Sequence, residues 1–507
     1  MLSEAPTAAD RAYLATRLMT TGGDRRIVVD ARTGLNQYLV APQPSGVMAY
    51  SSSTANDISP AAFAEVQRRL DRLAPSGTLD AARYHAALEG LRDRIRNALR
   101  LPASMEIIFA ASGTDLEYVG LAVGHRHGAA GIDNILLGAD EVGSGCAHSS
   151  RGHYFADSTA LGLPTRAGEP IDPRQPDFVR LHALPARGMG GVPMPSEDLL
   201  LEIGAIVEEA SRAGRHGLVH VVHGSKTGLI LPSFAHVDAL RRRFGDKLSF
   251  VVDACQCRLG GSTVASYLAR GATVFLTGSK FMGGPPFSGI ALVPRSAMQK
   301  SAGLLPGFER LFNRAEWPDA WPGAERLPEG ANLGLLLRLE ASIYELELYQ
   351  RLTPADVRRT LDLFDESVDA LTARLGAVRV IPQMASDWQD PSVRPQEMRT
   401  LVTVDLSQTR RRIGFERSRA LYRMLLEDLG RTVLRVPDRA AASRRIRLGQ
   451  PVKCITLPEG GHAGTLRIGL SMPQMVEFAA MDSASLQTRL HEDMMAIATK
   501  LDVISDL

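Results

Sequence analysis

Two short segments near the middle of the chain carry residue types that can do chemistry together. In the first, a run of valines ends in Asp253; in the second, Phe275-Leu276-Thr277 is followed by Gly278-Ser279-Lys280. Each apolar run predicts a buried strand, so one strand ends in a carboxylate and the next in a hydroxyl and an amine. Pyridoxal 5′-phosphate (PLP) chemistry needs this combination. Asp253 would keep the ring nitrogen protonated, and Lys280 would hold the aldehyde as a Schiff base and then move protons.

A third segment, Ser112-Gly113-Thr114, lies between a predicted strand and a predicted helix. Backbone N–H groups at the beginning of a helix, with hydroxyl side chains beside them, form a cradle suited to a phosphate group. A Ser or Thr next to Gly is also a common helix cap, so by itself this segment fits a structural role equally well.

A fourth segment, Ser225-Lys226-Thr227-Gly228, follows the predicted strand that ends near His223. It is either a plain turn, or it places Ser225 or His223 near the cofactor. Lys226 competes with Lys280 for the Schiff base. We favour Lys280 because Asp253 lies one strand before it and because Gly278 and Ser279 flank it, whereas Lys226 has no comparable neighbours.

Short apolar strands alternate with helical patterns through the middle of the chain. Strands are predicted at residues 105–110, 134–138, 217–222, 248–252, 273–277 and 289–293, and helices at 60–74, 81–100, 114–124, 196–213 and 234–243. This alternation predicts an α/β fold with a mostly parallel sheet covered on both faces. Ligands of such sheets bind at the carboxyl ends of the strands, where Ser112, Ser225, Asp253 and Lys280 all fall.

With 507 residues, the chain is longer than one ordinary compact core, so two domains are the default expectation. We predict an irregular N-terminal arm at residues 1–60 and a large α/β domain at 61–330. Residues 331–507 are predicted to form an interdomain helix and a smaller α+β domain. Within this last part, helices are expected at 332–375, 418–429 and 484–501, and strands at 378–381, 400–404 and 465–471.

Composition argues against several classes of protein. Apolar residues make up 45% of the chain and charged residues 22%, as in soluble globular proteins, and the net charge of +2 gives no basis for binding nucleic acid or a membrane. No apolar run has membrane-spanning length, no secretion signal is recognisable, and four cysteines are too few for a disulfide framework. We therefore expect a cytoplasmic protein. No metal site is predicted, since His220 and His223 point to opposite faces of their strand.

Together, residues 105–295 resemble the fold-type I PLP enzymes, and among them the class V aminotransferase group, which includes cysteine desulfurases and kynureninases. The family motif Asp-Ala-x-Gln is present as Asp253-Ala254-Cys255-Gln256, and Ser-x-His-Lys as Thr277-Gly278-Ser279-Lys280. The resemblance implies that Asp253 binds the ring nitrogen, that Gln256 contacts the phenolic oxygen, and that Ser279 donates to the phosphate in place of the family's histidine. The family's Asn-Glu-x-Gly turn differs, because Ser225 stands where the asparagine would be.

The resemblance also implies cofactor and substrate contacts outside these motifs. The family stacks a histidine or an aromatic residue on the ring, just after the strand that follows the Ser-Gly-Thr helix. No histidine occupies that place here, so His148 and His153, slightly later, are the candidates, and each also fits a plain surface histidine. Arg467 lies in an apolar strand where many members hold an arginine that grips the substrate carboxylate bidentately.

Two further positions are candidate ligand contacts. Ser53 belongs to the polar loop at residues 51–54, and Asn332 matches a segment that reaches the phosphate of the neighbouring subunit in this group. Members are usually homodimers with shared active sites, so a homodimer is expected here too.

The reaction is harder to predict than the cofactor. An aminotransferase needs only Lys280 as a proton shuttle and a carboxylate clamp such as Arg467, and it is the commonest outcome in the family. The alternative is β- or γ-elimination, replacement or carbon–carbon bond formation in specialised metabolism, for which the segments at 51–54, 148–153 and 307–326 can supply extra groups. A cysteine desulfurase ranks lower, because Cys454 alone follows Lys280 and no matching loop motif surrounds it.

Overall fold

The computed structural model describes residues 7–139, 141–143, 145–188, 191–380, 395–433, 435 and 438–507. Its helices are α1 (Ala8–Met19), α2 (Pro60–Leu73), α3 (Ala81–Leu99), α4 (Leu116–Gly124), α5 (Cys146–Ser149), α6 (Ser196–Arg212), α7 (Phe234–Phe244), α8 (Gly261–Ala269), α9 (Arg295–Gln299), α10 (Leu333–Tyr349), α11 (Pro354–Leu375), α12 (Phe415–Met424), α13 (Arg439–Ser443), α14 (Met472–Ala479) and α15 (Ser483–Ser505). Within the described ranges, no helix is both long enough and apolar enough to cross a membrane.

The strands form one large sheet and two small ones. They are β1 (Met48–Tyr50), β2 (Met105–Ala110), β3 (Ile132–Leu137), β4 (Val179–Leu184), β5 (His216–His223), β6 (Ile230–Leu231), β7 (Leu248–Asp253), β8 (Thr273–Thr277), β9 (Gly289–Pro294), β10 (Val378–Val380), β11 (Leu401–Asp405), β12 (Ile446–Leu448) and β13 (Thr465–Gly469). The large sheet has the order β2-β9-β8-β7-β5-β3-β4, with β6 paired to β5. Strands β8, β7, β5, β3 and β4 are parallel, and β9 runs antiparallel to both of its neighbours. The predicted α/β fold with a mostly parallel sheet is confirmed.

Helices cover both faces of this sheet. Leu218, Val251 and Phe275 belong to an apolar cluster on the face beneath α4, whereas Val219 and Val252 belong to a second cluster on the face beneath α6. Every residue of β5, β7 and β8 is buried, which explains why these strands are nearly continuous apolar runs in the sequence. The sheet is therefore a rigid support, and its strand ends are fixed relative to one another.

Two strands of the large sheet, β4 and the two-residue strand β6, are absent from the sequence prediction. Strand β4 pairs in parallel with β3 at the edge of the sheet, and several of its side chains are exposed or half-buried. An edge strand tolerates polar residues such as Arg180 and His182, so its sequence gives no continuous apolar run.

The C-terminal part contains a three-stranded antiparallel sheet, in the order β10-β11-β13. The predicted helical stretch at 332–375 is two helices, α10 and α11, with Thr353 capping the beginning of α11. The predicted strand at 378–381 corresponds to β10, and residue 381 lies outside the described residues. Domain boundaries at residues 60 and 330 stay a prediction.

The N-terminal arm is more ordered than predicted. It contains α1, which begins with a capping box between Thr7 and Asp10, and β1, which pairs in parallel with β12. Buried Arg338 of α10 donates to the carbonyl oxygens of Met19 (2.9 Å), Thr21 (2.6 Å) and Gly22 (2.9 Å). The arm is thus held by residues of the last part of the chain, from α10 and β12.

Candidate active site

A cavity of about 210 Å³ lies at the carboxyl ends of the central parallel strands. The sequence-predicted residues that line it are Ser53, Ser112, Gly113, Thr114, Ser225, Asp253, Gln256, Ser279, Lys280 and Arg467. They come from the arm, from the loops after β2, β5, β7 and β8, and from β13. Since the carboxyl ends of parallel strands meet at one edge of a sheet, residues far apart in sequence share one cavity.

Asp253, the last residue of β7, is buried, and its Oδ1 accepts a hydrogen bond of 3.0 Å from the backbone N–H of Cys255. Glu117 of α4 lies nearby, with its Oε2 3.6 Å from Nε2 of His220, and accepts a 2.8 Å bond from Ser150 Oγ. Burial and the charge of Asp253 raise the pKa of Glu117 to about 8, while burial lowers the pKa of His220 to about 4. Both groups are therefore mainly neutral near pH 7 and add little charge beside Asp253.

The turn that carries Lys280 is clamped by the N-terminal arm. Nδ2 of Asn56 donates to the carbonyl oxygens of Ser279 (3.0 Å) and Lys280 (2.7 Å). Among the described residues, no carboxylate lies within ion-pair distance of the Lys280 amine. The arm thus fixes the backbone of this turn at both residues.

Gln256 is oriented from two sides. Its Nε2 donates to the carbonyl oxygen of Ser53 (3.1 Å), and its Oε1 accepts from Nη1 of the buried Arg258 (2.9 Å). Since the amide group is held at both of its polar atoms, Gln256 has a defined orientation at the edge of the cavity.

The segment Ser112–Thr114 lines the cavity just before α4 begins, and it approaches neighbouring strands very closely. A Cβ atom on Gly113 would lie 2.9 Å from Cγ2 of Thr277 and 3.2 Å from Sγ of Cys255. Only glycine fits there without displacing these neighbours, so its absent side chain lets the turn pack closely against the ends of β7 and β8.

Arg26 of the arm also lines the cavity and was not predicted from the sequence. Its guanidinium pairs with Asp24, with Nη2 2.7 Å from Oδ2 and Nε 2.8 Å from Oδ1. On the cavity side, Nη1 donates to Thr114 Oγ1 (3.2 Å) and Nη2 to Ser112 Oγ (3.3 Å). A single arginine in an irregular segment has no motif that could have identified it.

Arg467 occupies the middle of β13, and only 3% of it is exposed. Its guanidinium donates to the carbonyl oxygens of Gln450 (2.8 Å), Ser53 (3.3 Å) and Lys226 (3.2 Å), and to Thr54 Oγ1 (3.1 Å). In the described part of the chain, no carboxylate forms an ion pair with it. Burial lowers the pKa of Arg467 to about 10, so it is still a cation near neutral pH.

Ser225 lies in a polar network that the sequence did not reveal. Its Oγ donates to Oε2 of Glu141 (2.8 Å), which also accepts from Thr227 Oγ1 (2.9 Å), while Oε1 pairs with Nε of Arg187 (2.7 Å). Glu141 lines the cavity, but these three donors compensate its charge. The sequence suggests either Ser225 or His223 as a residue near the cofactor. Ser225 reaches the cavity, whereas His223 is absent from the lining and bonds Tyr267 Oη at 3.0 Å.

The two histidines considered for ring stacking do not line the cavity. His148 is exposed on the short helix α5, and His153 is half-buried in a β-bridge with Pro170, where its carbonyl oxygen accepts from Tyr118 Oη (2.7 Å). The chain after β3 instead presents Val142 and Cys146 to the cavity. The helical turn of α5 follows immediately, so the segment with both histidines is directed elsewhere.

Asn332 likewise does not line the cavity. It is the N-cap of α10, where its Oδ1 accepts from the backbone N–H of Leu335 (2.9 Å) and its Nδ2 donates to the carbonyl oxygen of Gly22 (3.0 Å). Both polar atoms of this buried side chain are used within the chain, and the contact with the phosphate of a neighbouring subunit stays a prediction.

Comparison with known proteins supports the fold but not a closer relationship. No model of a protein family matches the chain, and no curated protein matches its sequence. Among solved structures, the apo cysteine desulfurase of Thermococcus onnurineus matches 88% of this chain and 94% of its own, at 14% identity and a TM-score of 0.51.

Two further structures resemble the chain less closely. A ureidoglycine-glyoxylate aminotransferase of Bacillus subtilis matches over 91% of this chain and 98% of its own, at 14% identity and a TM-score of 0.49. A serine palmitoyltransferase of S. paucimobilis with a bound PLP–myriocin aldimine matches over 89% and 86%, at 12% identity and a TM-score of 0.46. The conclusion about the fold rests on the desulfurase and on the topology of the sheet. The chain has the fold of the fold-type I PLP-dependent enzymes.

Proposed function

We propose that the protein is a PLP-dependent enzyme that acts on an amino acid or an amino-acid-derived substrate through a Schiff base at Lys280. One observation carries this proposal. Asp253 and Lys280 follow neighbouring parallel strands, β7 and β8, and line the same cavity as the Ser112–Thr114 turn. A carboxylate, an amine and an anion cradle are thus within one small space, as PLP requires.

The residues present fit PLP in two further respects. Gly113 lines the cavity immediately before α4, and the N-terminus of a helix favours an anion such as a phosphate. Ser53 Oγ is buried at the cavity and has no hydrogen-bond partner among the described residues. A buried polar atom without a partner is costly, so a bound molecule that supplies the partner stabilises this arrangement.

Each residue has a separate task in this proposal. Bound PLP supplies an electron sink that weakens the bonds at the Cα atom of the substrate. Asp253 holds a proton on the ring nitrogen, and Gln256, fixed by Arg258, contacts the phenolic oxygen. Ser279 and the Ser112–Thr114 turn bind the phosphate. Lys280 attaches the cofactor and then carries protons to and from the substrate.

Arg467 receives the substrate carboxylate. Its present partners are neutral carbonyl and hydroxyl oxygens, which leave its charge uncompensated. A guanidinium can bind both carboxylate oxygens, which fixes the orientation of the Cα–H bond. This contact selects substrates with a free α-carboxylate.

We favour transamination, because Lys280 and Arg467 are the whole set that it requires. The alternative is an elimination, replacement or carbon–carbon bond-forming reaction, for which the loop that contains Ser53 can supply a polar group. Cysteine desulfuration is disfavoured, because burial raises the pKa of Cys454 to about 11 and so opposes formation of a thiolate. We also propose a cytoplasmic homodimer. It rests on composition and on the resemblance of the motifs, and light scattering tests the oligomeric state.

The visible absorption spectrum of the purified protein tests the function. Adding PLP should give an absorption band that differs from the band of free PLP. Borohydride reduction should then attach the cofactor irreversibly to Lys280. Single amino acids and S-adenosylmethionine are then titrated in. One equivalent each of keto acid and pyridoxamine phosphate would establish transamination. Return of the original band with release of a substrate fragment would establish the alternative. No band after addition of PLP would overturn the proposal.

A further inference from the structure

Arg26 is a cavity-lining cation that bonds the side chains of the Ser112–Thr114 turn. We propose that Arg26, from the N-terminal arm, binds the phosphate group of the cofactor. This inference rests on the proposed function and adds a residue that neither the motifs nor the fold assigns to the site.

The guanidinium is held in one orientation on three sides. The rings of Phe155 and Phe287 lie 4.9 and 4.8 Å from its central carbon, so that aromatic rings shield the cation from water. Asp24 engages the edge formed by Nε and Nη2. The remaining N–H groups, on Nη1 and Nη2, point toward Thr114 and Ser112. A group placed between these hydroxyls can therefore meet Arg26 without any rearrangement of the arm.

The acidic groups beside the Ser112–Thr114 turn would repel a phosphate unless the charge of Arg26 offset them. Two carboxyl groups lie there, Asp24 and Asp115, and Ser112 Oγ donates to Asp115 Oδ2 at 2.5 Å. Burial raises the pKa of Asp115 to about 6, so it is mainly charged at neutral pH. A phosphate monoester carries about −1.5 to −2 charges at pH 7. Without Arg26, the turn would present this anion with two acids, and the helix N-terminus alone would have to offset them.

Comparing PLP with pyridoxal, which lacks the phosphate but forms the same bond with Lys280, isolates this contact. For the full chain, the dissociation constant of each is measured from the absorption band. Wild type should bind PLP more tightly than pyridoxal. Arg26→Gln should weaken PLP binding roughly 10- to 100-fold, as expected for loss of a charge-assisted hydrogen bond, and leave pyridoxal binding unchanged. Arg26→Lys, which keeps the charge but not the fork, should give an intermediate loss.

Arg25→Gln is the matched control. Arg25 is the preceding residue, its side chain is 79% exposed, and it pairs only at the surface with Asp157 (3.2 Å). This variant should bind PLP as wild type does. If Arg26→Gln and Arg26→Lys both keep the wild-type preference for PLP, or if they weaken PLP and pyridoxal equally, Arg26 does not bind the phosphate. If wild type binds neither compound, the proposed function itself fails.

Discussion

Two arginines line the cavity, Arg467 buried and Arg26 half-buried, and the protein compensates their charges differently. Arg26 has a carboxylate of its own, Asp24, which together with the nearby Tyr38 and Asp115 raises its pKa despite burial. Arg467 donates only to neutral oxygens, and burial lowers its pKa to about 10. One cation is compensated within the protein, and the other is not.

This difference fits the residence time of the ligands that we assign to them. A cofactor stays through many turnovers, so its anchor must be ordered before and after each one, and Asp24 provides that order. A substrate arrives and leaves in every turnover. Its binding gains most free energy when the charge of Arg467 is compensated only by the carboxylate of the arriving substrate. The two arginines thus separate a cofactor side of the cavity, with Arg26, from a substrate side, with Arg467.

Lys280→Ala removes the residue that we assign both to attaching the cofactor and to moving protons on the substrate. Turnover should fall on the order of 10⁴-fold, because both the covalent attachment and the proton shuttle are lost. PLP should still bind, through Arg26 and the turn, and dialysis should then remove it. Lys226→Ala serves as the control, since borohydride should still attach PLP to Lys280 in this variant. Turnover by Lys280→Ala near the wild-type rate would contradict the assignment.

Asp253→Ala should lower kcat by about 10²–10³-fold by removing the carboxylate that keeps the ring nitrogen protonated. Asp253→Asn keeps the shape but not the charge, so a similar loss there would show that charge is what matters. Steady-state kinetics measure both variants, and the absorption band reports whether PLP is still bound. Unchanged turnover would mean that ring protonation plays no part.

Arg467→Gln should be the mirror image of Arg26→Gln. We expect kcat/KM to fall about 10- to 100-fold, mainly through KM, while the dissociation constant of PLP stays the same. Arg419→Gln, an exposed position on α12 whose side chain is 51% accessible, is the control. If Arg467→Gln weakens PLP instead of the substrate, the division of the cavity into two sides is wrong.

Gly113→Ala tests the close approach on the cofactor side. The added Cβ would contact Thr277 and Cys255 at 2.9 and 3.2 Å, so we expect a loss of about 1–3 kcal/mol in the free energy of unfolding, together with weaker PLP binding. Gly90→Ala, in the interior of α3 with no atom within 4 Å of the new Cβ, should instead stabilise by about 0.5–1 kcal/mol. Urea unfolding distinguishes the two.

Arg26 has an ion-pair partner, and Arg467 has none within the residues that the structure describes. Glu117 differs from both, because this buried carboxyl group keeps its proton near neutral pH. Its folded pKa of about 8 exceeds the value of about 4.5 for an unperturbed Glu, so its contribution to stability is complete below pH 4.5 and is lost as the pH rises through 8. Glu117→Gln should therefore gain roughly 3–4 kcal/mol relative to wild type between pH 5 and pH 8, because each pH unit between the unfolded and the folded pKa is worth about 1.4 kcal/mol. Exposed Glu416→Gln should show no such trend in urea unfolding at the two pH values. An equal difference at both pH values would contradict a retained proton.

The sequence predicts the cofactor side only in part. Asp253 and Lys280 follow strands buried on every residue, and such strands leave strong apolar signals, so their shared edge of the sheet could be predicted. Arg25 and Arg26 are adjacent and chemically identical, yet 79% of one side chain and 15% of the other are exposed. Only the tertiary position of Phe155 and Phe287 distinguishes them, and no local pattern records it.

Helix caps and edge strands mark the other limit of prediction. Asn332 is predicted to contact the phosphate of a neighbouring subunit, and within its own chain it caps the first turn of α10. Strand β4 was missed because an edge strand does not need continuous apolar residues. In both cases a local signal has two physical explanations, and the distant part of the chain decides between them.

The arm's contacts also set an order of events during synthesis. Asn56 holds the turn of Lys280, and Tyr50 Oη donates to Asp493 Oδ2 of α15, 443 residues later (2.8 Å). At about 5–20 residues per second, the ribosome takes roughly 20–90 s to reach that partner. The contact between the arm and α15 therefore cannot form until the chain is nearly complete. A nascent chain can form its central sheet early, but the lining of the cavity is complete only after Arg467 of β13 has been made.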